Sequence, residues 1–232
     1  MGASAIYSVL SLIESATSKA GLAGTSSNLN PSENNAELWD FIYRIVGLFL
    51  GFVPVALVLF LLAQNYANPL KAIGLWRPTN KDWIRGVAVF ACIGIPGLML
   101  YIAARALGLA ARIVPGEFQY WWLIPVLLIS ALKAALTEEV IMIGYLFKRF
   151  DELGVPSHWQ QLISAGIRSC YHAYQGLAGI IGNFIMGLAF GWAYRRWGRV
   201  LPLVIAHFLL DAFSFVGYAL LAKQLATFGG LF

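Results

Sequence analysis

The chain has 232 residues, of which 59% are hydrophobic and only 12% are charged. Soluble globular domains carry about 25% charged residues, so this composition excludes a soluble domain and predicts an integral membrane protein with the lipid bilayer as its partner. The formal net charge of +5 does not indicate nucleic-acid binding, because no basic run is long enough for it. In membrane proteins an excess of Lys and Arg is typical of cytoplasmic loops.

The N-terminal part of the chain differs in composition from the rest. Residues 5–20 predict an amphipathic helix on the membrane surface, and the Ser-, Asn- and Pro-rich residues 24–35 predict a flexible linker. We therefore treat residues 1–37 as an amphipathic or flexible segment, and we expect it to be dispensable for chemistry.

The remaining chain contains a series of apolar segments. Their lengths approach or exceed about 20 residues, the length needed to cross a bilayer. Six can be drawn, over about residues 38–64, 84–109, 118–150, 159–174, 179–197 and 201–223. The fourth is short and is compatible with a re-entrant segment. The predicted fold is all-α, a polytopic transmembrane helical bundle over residues 38–223.

Basic residues concentrate in alternate loops of this bundle. The loops after the first, third and fifth segments carry Lys71, Arg77, Lys81, Arg85, Lys148, Arg149, Arg195, Arg196 and Arg199. The opposite side carries fewer, including Lys19, Arg105, Arg112 and Lys223. The positive-inside rule then predicts that the three basic loops are cytoplasmic and that both termini are outside.

A few ionisable residues interrupt the apolar segments. They are Lys133, Glu138, Glu139, Arg168, His172, His207 and Asp211. A charged side chain at the bilayer centre costs about 2.5–3.5 kcal/mol, so such residues face the bundle interior and find partners. Arg168 and His172 are four residues apart, as are His207 and Asp211, and each pair therefore lies on one helix face. We predict that these residues share one buried pocket.

This set of side chains is suited to peptide hydrolysis. A buried carboxylate offers a general base for water, and a histidine can share that task or hold the water. A second histidine and an acid can stabilise an oxyanion or bind a metal such as zinc. Two other interpretations stay open: a structural Glu pair bound by Arg168 and Lys133, and a proton relay in a proton-coupled transporter.

The residues around these positions resemble a known family of membrane proteases. The sequence reads "TEEVIMIGYL", "RSCYHAYQG" and "AHFLLD". These segments are similar, in that order, to the motifs Glu-Glu-x-x-x-Arg, Phe-x-x-x-His and His-x-x-x-Asn/Asp. The motifs are those of the CAAX-processing and bacteriocin-processing (CPBP) intramembrane proteases, also called type II CAAX prenyl endopeptidases. The resemblance covers about Trp121 to Val216 and implies an intramembrane endopeptidase whose core spans about residues 118–223.

The resemblance implies a role for each residue. Glu138 would activate the attacking water with help from His172. His207 and Asp211 would stabilise the tetrahedral intermediate, and His172 with His207 would be the ligands of a divalent metal such as zinc if one is bound. The substrate would be a membrane-associated or lipidated peptide or protein, reached from the cytoplasmic side of a bacterial membrane. A non-catalytic member that acts as a scaffold or immunity factor stays an alternative.

Two positions depart from the family pattern. Ile143 stands where the first motif has Arg, and Arg168 stands where the second motif has Phe. The resemblance implies that Glu139 supports the site, and in the usual motif the Arg four residues later pairs with it. We predict that Arg168, from the facing helix, supplies the missing charge to Glu139. Exchange of the two charges should then restore the folding or activity that either single substitution removes.

Overall fold

The computed structural model of the chain describes residues 2–19, 21–114, 120–217 and 220. The α-helices within them are α1 (Gly2–Thr17), α2 (Glu37–Ala63), α3 (Pro69–Ala72), α4 (Asn80–Ala106), α5 (Leu123–Glu138), α6 (Leu146–Glu152), α7 (Ser157–Tyr171), α8 (Leu177–Trp197) and α9 (Leu201–Ala212). π-Helices occupy Glu139–Tyr145 and Phe213–Gly217, and short 3₁₀ turns occupy Leu22–Gly24 and Ala173–Gln175.

The predicted apolar segments all coincide with helices, and the predicted N-terminal helix is present as α1. Within the described residues, α2, α4 and α8 are each long and apolar enough to cross a membrane. The predicted number of six spans is not confirmed, because within the described residues only these three helices meet both the length and the apolar composition of a span. The start of the third segment near residue 118 and the end of the sixth at residue 223 lie outside the described residues.

A pair of short strands accompanies the mostly helical fold that the sequence predicts. β1 (Ser26–Asn28) pairs in parallel with β2 (Arg112–Val114). The first strand lies inside the stretch that its composition predicts to be a flexible linker. Strand pairing with a distant segment overrides that local preference, since β structure depends strongly on its tertiary context.

The three basic loops lie together at one end of the bundle. Arg199 Nε lies 2.7 Å from Asp82 Oδ1, which joins the loop between α8 and α9 to the start of α4. Arg195 Nη2 lies 2.7 Å from Asp151 Oδ1, which joins α8 to α6. The hydrogen bond from Arg195 holds the pKa of Asp151 below its usual value. These contacts agree with the alternating pattern of basic loops, while the orientation in the membrane stays a prediction.

Close backbone packing joins α7 to α8. A Cβ added at Gly187 would lie 2.7 Å from the Cα of Ala165, a main-chain atom that cannot rotate away. Small residues at such crossings let transmembrane helices approach closely. The contact matters for the site, because α7 carries Arg168 and ends next to His172.

We expect Gly187→Ala to lower the free energy of unfolding by about 1–3 kcal/mol, the usual cost of overpacking. Gly182 on the same helix is the matched control, because a Cβ there meets only Leu100 Cδ2 at 3.7 Å. Gly182→Ala should change stability by less than about 0.5 kcal/mol. Equilibrium unfolding in mixed micelles measures both, and equal losses would contradict the packing argument.

Candidate active site

The two adjacent glutamates lie where the helix geometry changes. Glu138 ends α5, Glu139 begins the π-helix, and α6 follows without a break. Single π-helical turns are rare and occur frequently at functional sites. In a regular α-helix, neighbouring residues do not face the same partner, yet both carboxylates here contact α7. The side chain of Glu139 is fully buried, and that of Glu138 is 15% exposed.

Glu139 is the centre of the buried part of the site. Its Oε1 lies 2.6 Å from Arg168 Nη2 and 2.7 Å from His207 Nδ1. One carboxylate oxygen therefore joins the π-helix to α7 and α9 through two charge-assisted contacts. The predicted pairing of Arg168 with Glu139 is present, and Ile143, at the position of the motif Arg, is fully buried in the apolar core instead.

Glu138 is the centre of the more accessible part. Its Oε2 accepts a hydrogen bond from Tyr171 Oη at 2.7 Å, and Arg168 Nη1 lies 3.5 Å from the same oxygen. Both contacts stabilise the negative charge of the carboxylate. His172 Nε2 lies 3.7 Å from this oxygen, which is too long for a direct hydrogen bond. Asp211 Oδ2 lies 3.5 Å from His207 Nε2.

Several buried polar atoms of the cluster have no hydrogen-bond partner among the described residues. They are Glu139 Oε2, Arg168 Nε, Arg168 Nη1 and His172 Nε2. Buried polar groups in folded proteins are nearly always paired with protein or ordered water. Unpaired atoms beside a carboxylate therefore indicate a binding site for a polar group, such as water or a peptide group.

The structure brings together six of the seven ionisable residues for which the sequence predicts one shared pocket. They are Glu138, Glu139, Arg168, His172, His207 and Asp211. Lys133 is not among them: its side chain packs against Gly51 of α2, and within the described residues it forms no ion pair with either glutamate. The part of the structural interpretation that places Lys133 beside the glutamates is therefore wrong, whereas Arg168 contacts both glutamates.

Sequence reasoning missed Tyr171. It precedes His172 in "RSCYHAYQG", at a position that the motif Phe-x-x-x-His leaves unspecified, so only its polar tip within an apolar segment could have indicated a role. A buried Tyr hydroxyl usually finds a partner. Here the partner is the carboxylate of Glu138.

The donor types in the cluster fit a divalent metal. Glu138, Glu139 and His207 each offer one possible ligand atom, and these three atoms lie within 4.8 Å of one another. These three residues would hold such an ion, which would lower the pKa of a bound water. The metal pair predicted from the sequence, His172 and His207, shares one residue with this group and stays a prediction.

Fold and site together define a helical integral membrane protein with a carboxylate–imidazole cluster between its helices. Residues 120–213 match the protein family described as "Type II CAAX prenyl endopeptidase Rce1-like". This match confirms the resemblance inferred from the motifs, over nearly the same residues. Comparison with curated proteins and with solved structures finds no match.

Proposed function

We propose that the protein is an intramembrane endopeptidase that cleaves a membrane-associated or lipidated peptide or protein with water activated by Glu138. The observation that carries this proposal is the placement of the Glu138 carboxylate 3.7 Å from His172 Nε2, a buried atom that has no hydrogen-bond partner among the described residues. Because this separation is too long for a direct hydrogen bond, both groups are left able to contact a water beside them. The family match over residues 120–213 supports a hydrolase of protease type.

The first chemical step is attack of water on the peptide carbonyl. Glu138 accepts a proton from the water as the oxygen attacks the carbonyl carbon, and His172 orients the water. Tyr171 Oη, which donates to Glu138 Oε2 at 2.7 Å, fixes the carboxylate in the direction of the water. Holding the reactants in this geometry removes much of the entropic cost of the step.

The second step is collapse of the tetrahedral intermediate. His207 is held at Nδ1 by Glu139 and presents Nε2 towards Asp211, which fits a role in stabilising the negative oxygen of the intermediate. Glu138, now protonated, returns its proton to the leaving amine as the C–N bond breaks. The carboxylate is then ready for another cycle.

An apolar groove next to the cluster supports a substrate with a hydrocarbon portion. It has a volume of about 680 Å³ and lies between the π-helix and α7, with α1 at its edge. Its walls include Ile141 and Met142, two and three residues after Glu139, and Cys170, two residues before His172. A lipid chain in this groove would lie along the helices that carry the cluster.

The exposure of the site residues bears on the direction of access. Asp211 and His172 are 22% and 18% exposed at their side chains, whereas His207 and Arg168, one turn nearer to the basic loops, are 4% and 0% exposed. This gradient favours access from the end opposite the basic loops. The access from the cytoplasmic side predicted by the sequence stays a prediction.

The test of this function uses the full chain reconstituted in liposomes. A quenched fluorescent peptide that carries a hydrocarbon chain should be cleaved, with the new ends identified by mass spectrometry, and a pH-sensitive dye inside the vesicles should show no proton flux. Proton-driven flux without cleavage would replace the peptidase with a transporter. Neither cleavage nor flux would indicate a non-catalytic member of the family.

Removal of the Tyr171 hydroxyl should slow cleavage without weakening substrate binding. A hydrogen bond to a charged group is worth about 1.5–3 kcal/mol, so Tyr171→Phe should lower kcat about ten-fold or more while KM changes less than about two-fold. Tyr66→Phe is the matched control, because its hydroxyl donates to Glu152 at the basic end of the bundle and not to Glu138. Steady-state kinetics in liposomes measure both variants, and an unchanged kcat in Tyr171→Phe would contradict the role.

A further inference from the structure

The turn that carries His172 is held by chain segments outside the matched residues 120–213. His172 ends α7 and begins the 3₁₀ turn Ala173–Gln175. The backbone N–H of Tyr174 in that turn donates a hydrogen bond to Ser8 Oγ of α1 at 2.7 Å. Ser8 is only 5% exposed, although Tyr7 beside it is 74% exposed. Helix α1 therefore places one buried hydroxyl on the main chain of the turn.

A second attachment lies at the far end of the same turn. Leu177 N–H donates to Leu109 O at 3.2 Å, and Ala110 pairs with Gly176 in an isolated antiparallel bridge. Gly176 has a φ of 87°, a conformation that favours glycine. The chain thus reverses sharply after His172 while both sides of the turn are fixed.

The imidazole of His172 is coupled to this turn. Gln175 N–H donates to His172 O at 3.1 Å, and Gln175 Nε2 lies 3.5 Å from His172 Nδ1. A change in the backbone at Tyr174 or Gln175 would therefore move the ring. The distance of 3.7 Å between His172 Nε2 and Glu138 Oε2 depends on that ring position.

We propose that α1 is a positioning clamp for His172, with Ser8 as the positioning residue that acts through Tyr174 N–H. The proposal rests on the proposed function, because it assigns α1 a part in orienting the water between His172 and Glu138. It also opposes the expectation that residues 1–37 are dispensable for chemistry. Loss of the Ser8 hydroxyl would leave a main-chain N–H without its partner and free the turn to shift.

The experiment compares full-length Ser8→Ala, Ser8→Thr and Ser4→Ala in liposomes. Ser4 is the matched control, since it is an exposed serine one turn earlier on α1. The first measurement, amide hydrogen exchange over residues 173–177, does not depend on activity. Loss of a hydrogen bond worth about 1 kcal/mol should make exchange in Ser8→Ala about five-fold to ten-fold faster. Ser8→Thr, which keeps a hydroxyl, and Ser4→Ala should match the parent chain.

The second measurement is steady-state cleavage. Ser8→Ala should lower kcat about ten-fold with KM unchanged and the unfolding midpoint lowered by only about 2–4 °C, and Ser8→Thr should keep the kcat of the parent chain. Unchanged exchange in Ser8→Ala, or faster exchange with unchanged kcat, would overturn the clamp. Absence of cleavage by the parent chain would instead refute the proposed function, and the exchange data would then decide by themselves whether α1 holds the turn.

Discussion

Glu138→Gln is expected to lower kcat by at least about 10³-fold, because the amide cannot accept the proton of the attacking water. The substitution keeps the size of the side chain and an oxygen that can accept from Tyr171 Oη, so the helices should pack as before. KM should change little, since the group acts on water rather than on the substrate chain. Cleavage of a lipidated fluorescent peptide in liposomes measures both constants.

Two further variants sharpen this test. Glu152→Gln removes a carboxylate at the basic end of the bundle, where Glu152 pairs with Arg149 at 2.6 Å. It should retain full activity. Glu138→Asp keeps the charge but moves it away from the water, and we expect a loss of about 10²-fold, as for a misplaced catalytic group. Full activity of Glu138→Gln, with its fold verified by circular dichroism, would exclude Glu138 as the base.

The sequence predicted the parts of the structure that depend on local pattern. Apolar runs gave the helices, because every backbone group in lipid must be paired within its own segment. The isolated ionisable residues gave the cluster, because each of them needs a partner in the bundle interior. The pairing of Arg168 with Glu139 followed from a motif that lacked its usual Arg at Ile143.

Other features depend on contacts that no local pattern records. The π-helix after Glu138 adds one residue to the turn, and no composition signal distinguishes it from a continuous α-helix. The strand at Ser26–Asn28 forms because a partner lies at Arg112–Val114. Lys133 is an ionisable residue of the same apolar segment as Glu138 and Glu139, yet its side chain packs against Gly51 of α2. Spacing alone could not separate it from the true members of the site.

Arg168→Met is expected to destabilise the protein by about 3–5 kcal/mol, the cost of leaving a buried charge without its partner. The guanidinium is fully buried and lies 2.6 Å from Glu139 and 3.5 Å from Glu138, so its loss exposes two carboxylates to each other. Arg168→Lys keeps the charge but loses the planar fork, and should cost less. Equilibrium unfolding in mixed micelles measures these values.

The contacts of Arg168 also change what the charge exchange should do. In Glu139→Arg/Arg168→Glu, the new carboxylate would lie next to Glu138, so like charges would meet, and His207 Nδ1 would lose the carboxylate that it contacts. We therefore expect no rescue from this exchange, contrary to the prediction from the sequence. Glu139→Gln/Arg168→Met, which removes both charges, should recover at least half of the stability lost in Arg168→Met, because replacing a buried pair by neutral groups is often tolerated. A double variant no more stable than Arg168→Met would show that the buried ion pair is not the source of the loss.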